Sequence, residues 1–130
     1  MPLLKTDEAY LQERGLPYEV HEEAGMTCIV FPGWVLPEGF GVSSSDLLIR
    51  LSPGYPDVPP DMWWFDPPVK RADGVEIPAT QVVEQHLSRS WQRWSRHFQQ
   101  GQWKSGVDGI ESYLALIRRD IDAYVPTAAQ

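Results

Sequence analysis

Tyr55-Pro56-Asp57-Val58-Pro59-Pro60 lies between two strand-like apolar runs, and its reading decides the fold. Each proline fixes φ and drives the residue before it toward extended geometry. Taken alone, Y-P-x-x-P-P is compatible with a stiff surface turn. The order of elements on either side gives it more weight.

Upstream, Thr6 is placed to cap a short helix, with Asp7 and Glu8 in the first turn where the helix dipole favours acids. Tyr10, Leu11 and Arg14 continue that helix, and Gly15-Leu16-Pro17 stops it. Residues 18–31 are rich in β-formers and are broken by a turn near Ala24-Gly25. A loop is expected from Gly33 to Gly41, then a strand over residues 46–51 that ends at Ser52-Pro53-Gly54. Beyond the proline motif, Met62-Trp63-Trp64-Phe65 reads as a short, largely buried strand stopped by Pro67-Pro68. A helix followed by a meander of four strands excludes a doubly wound parallel sheet.

Residues 69–102 carry a weaker pattern. Thr80 to Trp94 shows no clean periodicity, so a long functional loop with a short helix is expected there. Helical periodicity returns in Ile110, Leu114, Ile117, Ile121 and Tyr124, which fall on one face, and Pro126 ends it. Ser105 and Asp108 stand in the S-x-x-D relation of a capping box. Residues 126–130 are expected to form a frayed tail.

Composition bounds the function. The 130 residues make one domain, and six Trp, five Tyr and four Phe give it ample apolar area for a core. A net charge of −7 argues against nucleic-acid binding, which requires a cationic surface. No apolar run is long enough to span a membrane, and the first residues lack the regions of a signal peptide. With a single cysteine there is no internal disulfide, which fits a cytoplasmic location. No His/Cys/Asp/Glu cluster has metal-site spacing and no glycine-rich phosphate loop occurs, so neither metal nor cofactor is expected.

The succession of helix, meander, Y-P-x-x-P-P, irregular segment, isolated Trp103 and C-terminal helix resembles the ubiquitin-conjugating fold. More narrowly, Trp91-Gln92-Arg93-Trp94-Ser95-Arg96-His97, with Pro59-Pro60-Asp61-Met62-Trp63-Trp64 upstream and Gln102-Trp103 downstream, is similar to family E of the prokaryotic ubiquitin-conjugating (E2-like) proteins. The resemblance implies an α+β domain in which Tyr55, Pro56, Pro59, Pro60 and Trp103 are structural markers. It also implies work beside an adenylating activating enzyme, a ubiquitin-like protein and a deubiquitinase-type peptidase.

Three departures bear on chemistry. The family pattern C-x7-W appears here as Ser95, seven residues, then Trp103. The sole cysteine, Cys28, falls in an early strand and reads as a small buried core residue. The chain has no Asn, so the H-P-N amide that helps stabilise the oxyanion is missing, and the 35 residues from Pro60 to Ser95 imply an insertion.

Ser95 is either an acyl acceptor or a solvated loop hydroxyl, because serine is inert without a base. His97 and His86 are the imidazoles of this segment. His97 is either the partner of Ser95 or a polar tether for the loop. Arg89, Arg93 and Arg96 concentrate cations in an acidic chain and suit a modifier's C-terminal tail, or else form a solvated face. Trp91, Trp94 and Trp103 read as packing anchors. The expectation is therefore an atypical conjugating component that accepts a modifier through Ser95. The rival is an inactive conjugating-like scaffold.

Overall fold

The computed structural model describes residues 3–99 and 101–126; residues 127–130 of the expected tail lie outside them. Helix α1 (Lys5–Arg14) is followed by strands β1 (Glu19–Glu23), β2 (Met26–Val35), β3 (Ser44–Leu51), β4 (Trp63–Asp66), β5 (Val82–His86) and β6 (Arg89–Trp94), and by helix α2 (Ile110–Asp122). The strands form one antiparallel sheet in the order β1-β2-β3-β4-β6-β5.

The first four strands are the expected meander. Ala24 and Gly25, both at positive φ, turn β1 into β2, a geometry that suits the right-handed twist of a hairpin. β2 runs past the expected loop start: its pairing with β3 shifts between Phe31 and Trp34, and Gly33, at φ 63°, gives its N–H to Asp46. This bulge carries the strand to Val35. The proline motif occupies the connection between β3 and β4, and Trp63 and Trp64 are both buried.

The sheet has six strands, not four. Val82–His86 and Arg89–Trp94 pair with each other, and β6 pairs with β4, so the expected loop and short helix are replaced by a hairpin. Its turn is Leu87-Ser88, at φ 53° and 62°. Neither residue is of the Gly or Asn type that announces such a turn in a sequence. Irregular chain remains on both sides of the hairpin, from Pro67 to Gln81 and between Trp94 and Ile110.

Strand alternation sends neighbouring side chains to opposite faces. Trp63, Phe65, Leu47, Ile49 and Trp94 pack with Leu11 of α1 and with Ile110, Tyr113, Leu114, Ile117 and Ile121 of α2. Cys28, Val30, Leu48, Trp64 and Trp91 form a second cluster on the other face. The sheet curls until its two ends touch: Glu23, closing β1, accepts the Leu87 N–H at 2.8 Å and lies 3.4 Å from His86.

Both helix starts differ from expectation. α1 begins at Lys5 with no side-chain cap, so Thr6 sits inside its first turn, whereas Gly15 ends it in the left-handed region as anticipated. α2 begins at Ile110, and Ser105 and Asp108 belong to the preceding turn, where Asp108 accepts the Lys104 N–H and the Ser105 hydroxyl meets Asp57. The free N–H of Ile110 goes instead to Asp7 Oδ1 at 3.0 Å, and Ser112 Oγ accepts from Gly109 N–H.

Candidate functional site

The proline motif ties the irregular segment to the rest of the molecule. Trp103 Nε1–H donates to the Pro56 carbonyl at 2.8 Å, and its ring lies 6.1 Å from that of Tyr55. The Tyr55 hydroxyl donates to Asp7 Oδ2 at 2.6 Å. Burial, reinforced by the Asp7 charge, pushes the Tyr55 pKa well above the ordinary phenol value, so the donor keeps its proton. Pro60 is buried and Pro59 half-buried beneath the approach to β4.

β6 delivers the W-x-x-W-S-R-H residues alternately to the two faces. Gln92, on the helix side, exchanges two hydrogen bonds with the backbone of Val69 and accepts a third from Trp94 Nε1. Arg93, on the other side, reaches Glu84 at 2.8 Å and donates through Nε to Ser95 Oγ at 2.9 Å. Ser95 is half-buried where β6 ends, and its N–H binds the Ala79 carbonyl. Burial alone would raise the Glu84 pKa. Donation from Trp64, His86 and Arg93 outweighs it and leaves the carboxyl below its ordinary range.

The other candidates have their own partners, and only Arg96 touches Ser95, donating through Nη1 to its carbonyl at 3.2 Å. His97 Nδ1 faces Asp61 Oδ1 at 2.7 Å in an exposed pair. Arg96 points toward α2, with Nε on Asp120 at 2.8 Å, Nη1 on the Pro78 carbonyl, and its guanidinium 5.1 Å from the Trp94 ring centroid. His86 sits against Trp64 between Glu23 and Glu84. Arg89, at the start of β6, bridges Asp46 and Asp66 while covering Trp91. The hydroxyl expected to react thus has a cationic donor beside it, and the imidazole expected to activate it is paired with a carboxylate of its own.

Three partners escaped the sequence reading. Glu84 lies in the hairpin that carried no turn signal. Asp61 was visible directly after the two prolines, but its pairing with a residue 36 positions away has no sequence signature. Asp7 read only as a helix-dipole residue. Cys28 is fully buried in the second cluster, as expected for a packing residue. Among the described residues no group of three or more His, Cys, Asp or Glu side chains could hold a metal ion, and no helix is long and apolar enough to cross a membrane.

Residues 3–123 match the family model described as prokaryotic E2 family E, a span that takes in both helices, all six strands and the segment between Ser95 and Trp103. The chain belongs to prokaryotic E2 family E. No curated protein matches it, and no solved structure does. Within this family E protein the resemblance spans the whole sheet and both helices, so the hairpin that brings Ser95 to the end of β6 is part of the family domain.

Proposed function

We propose that this E2-like protein serves a bacterial ubiquitin-like conjugation system as a binding module that engages the adenylating activating enzyme, the ubiquitin-like modifier, or both. The observation that carries this reading is the Arg93–Ser95 contact at 2.9 Å. A serine becomes a nucleophile when a base takes its proton. A guanidinium is no base, and its N–H occupies a lone pair of Ser95 Oγ that would otherwise attack. Arg93 is itself held by Glu84, so this arrangement is stable.

A second reading keeps the chain as a carrier, with Ser95 accepting the modifier's C-terminal carboxyl as an oxyester. What favours it is the Asp61–His97 pair. A carboxylate on Nδ1 leaves Nε2 as the basic nitrogen of the ring. In that reading His97 takes the Ser95 proton, the hydroxyl oxygen bonds to the acyl carbon, and the adenylate departs. Arg93 would then face the developing oxyanion.

One experiment separates the two. The protein is incubated with the activating enzyme, ATP and the modifier, and binding and adduct formation are measured on the same samples. The module reading expects equal binding by wild type and Ser95→Ala, with no covalent adduct. A Ser95-dependent adduct that survives reducing agent and yields to base would establish the carrier instead. His97→Ala should then slow its formation by about 10²–10⁴-fold.

A further inference from the structure

The curled sheet has two edge strands, and they differ in kind. β1 is polar: Glu19, His21, Glu22 and Glu23 leave Val20 as its single apolar residue. A charged edge of this sort turns away a foreign strand. β5 reads Val82-Val83-Glu84-Gln85-His86, with no Pro, no Lys and no bulge. Val82 is 43 % exposed and Val83 61 %. Its one carboxylate, Glu84, is already held by Arg93 at 2.8 Å. β5 is therefore the unguarded edge of the sheet.

The register shows which backbone groups are free. The two-residue turn Leu87-Ser88 closes on the pair His86–Arg89, and antiparallel pairing alternates from there. Glu84 and Val82 thus bond to β6, while Val83 and Gln85 turn their N–H and C=O groups away from it. β6 is the only strand beside β5. Glu23 of β1 reaches Leu87 and His86 with its side chain, and Gln81, Val82, Val83 and Gln85 stay exposed. A row of alternating free donors and acceptors is complementary to an extended strand.

The surroundings of the edge suit a second copy of the same strand. On the helix side of the sheet Val83 borders a cavity of about 350 Å³ that Val75 and Ile77 also line. The charged lining residues are Lys70, Arg71 and Glu76, and Arg71 is paired with Asp73. Lys70 and Glu76 then cancel, so this flank is neutral in a chain of net charge −7. The repulsion that keeps two copies apart elsewhere is missing here. A two-fold axis at Val83 sets Val83 against Val83 of the second copy, Val82 against Glu84, and Gln81 against Gln85. No like charges face each other in that register, whereas an axis at Glu84 would oppose two carboxylates.

We propose that β5 pairs antiparallel with β5 of a second copy about a two-fold axis at Val83, joining two sheets into one. The outward groups of Val83 and Gln85 supply the hydrogen bonds, and the two Val83 side chains meet at the lips of the two cavities. The pairing involves no covalent step and does not rest on any role for Ser95.

The test is sedimentation equilibrium of the full chain from micromolar to millimolar concentration, with residue-resolved amide exchange by NMR on the same samples. The mass should rise from 14.8 kDa toward twice that value. The amides of Val83 and Gln85 should gain protection in step with it. Val83→Pro removes an outward donor from each copy and spares the bonds to β6, so association should weaken about tenfold or more. Val83→Lys places two cations face to face and should leave a monomer, with circular dichroism reporting an intact fold. Val20→Lys, on the other edge, should change nothing. A chain that stays monomeric throughout would overturn the proposal, as would a dimer indifferent to both Val83 variants. An N-acetylated hexapeptide of alternating valine and threonine tests the other occupant. Monomers whose Val83 and Gln85 amides are protected only when that peptide is added would make the edge a site for a foreign strand, and would also refute pairing between copies.

Discussion

Asp7 shows how much one buried carboxylate can organise. It is 4 % exposed, accepts the Tyr55 hydroxyl on one oxygen and the Ile110 N–H on the other, and so links α1, the proline motif and the first turn of α2. Removing it leaves two buried donors without acceptors and uncaps a helix. Asp7→Ala is expected to cost about 2–4 kcal/mol in urea unfolding, against about 1 kcal/mol for Tyr55→Phe, which deletes one bond and keeps the cap. The double variant should cost less than the sum, since both changes touch one network. Cys28 behaves differently. It fills space in the second cluster, so Cys28→Ala should lose about 1 kcal/mol through a small cavity and leave partner binding intact. A modifier adduct trapped on Cys28 would refute that assignment.

At the scale of elements, the closure of the curled sheet depends on charge. Glu23 is held below the usual carboxylate range chiefly by the Leu87 N–H, with His86 and Arg50 adding to it despite an opposing effect of burial. Glu84 is lowered as well, through Trp64, His86 and Arg93. A carboxyl whose folded pKa lies below its unfolded value stabilises the fold fully above the unfolded value, here 4.5. That contribution is lost as pH falls from there through the folded pKa. Acid unfolding followed by tryptophan fluorescence should thus steepen below about pH 4.5. Glu84→Gln should flatten that dependence, and Glu23→Gln should first loosen the β5–β6 turn.

The same hairpin marks the limit of what the sequence discloses. The meander was legible because β2, β3 and β4 contain apolar runs and its turns contain Gly or Pro; the polar β1 was marked by the Ala24-Gly25 turn that follows it. The buried face of α2 was legible in the spacing of Ile110, Leu114, Ile117 and Ile121. β5 was not, because Val82 and Val83 are exposed on an edge strand and Leu87-Ser88 supplies a positive-φ turn without glycine. The candidate site was legible only as a segment. Ser95, His97, Arg93 and Arg96 are adjacent in the chain, but their partners Asp61, Glu84 and Asp120 come from three other places. Pairings of that kind follow from topology, which local patterns do not encode.

For the whole molecule, the bond between Asp7 and Ile110 spans 103 positions of a 130-residue chain. During synthesis, every strand of the sheet has been made before the N–H that Asp7 awaits exists. The first helix therefore cannot settle until nearly the last one arrives, and the sheet's helix-side face stays uncovered in the interval. Chains stalled on the ribosome just before residue 110 should remain open to protease, with protection appearing abruptly once α2 has emerged. A nascent chain already protected at the earlier point would show that the sheet closes by itself. In this protein, completion of the fold waits for the emergence of α2, which makes the interval before it the one in which chaperone capture matters most.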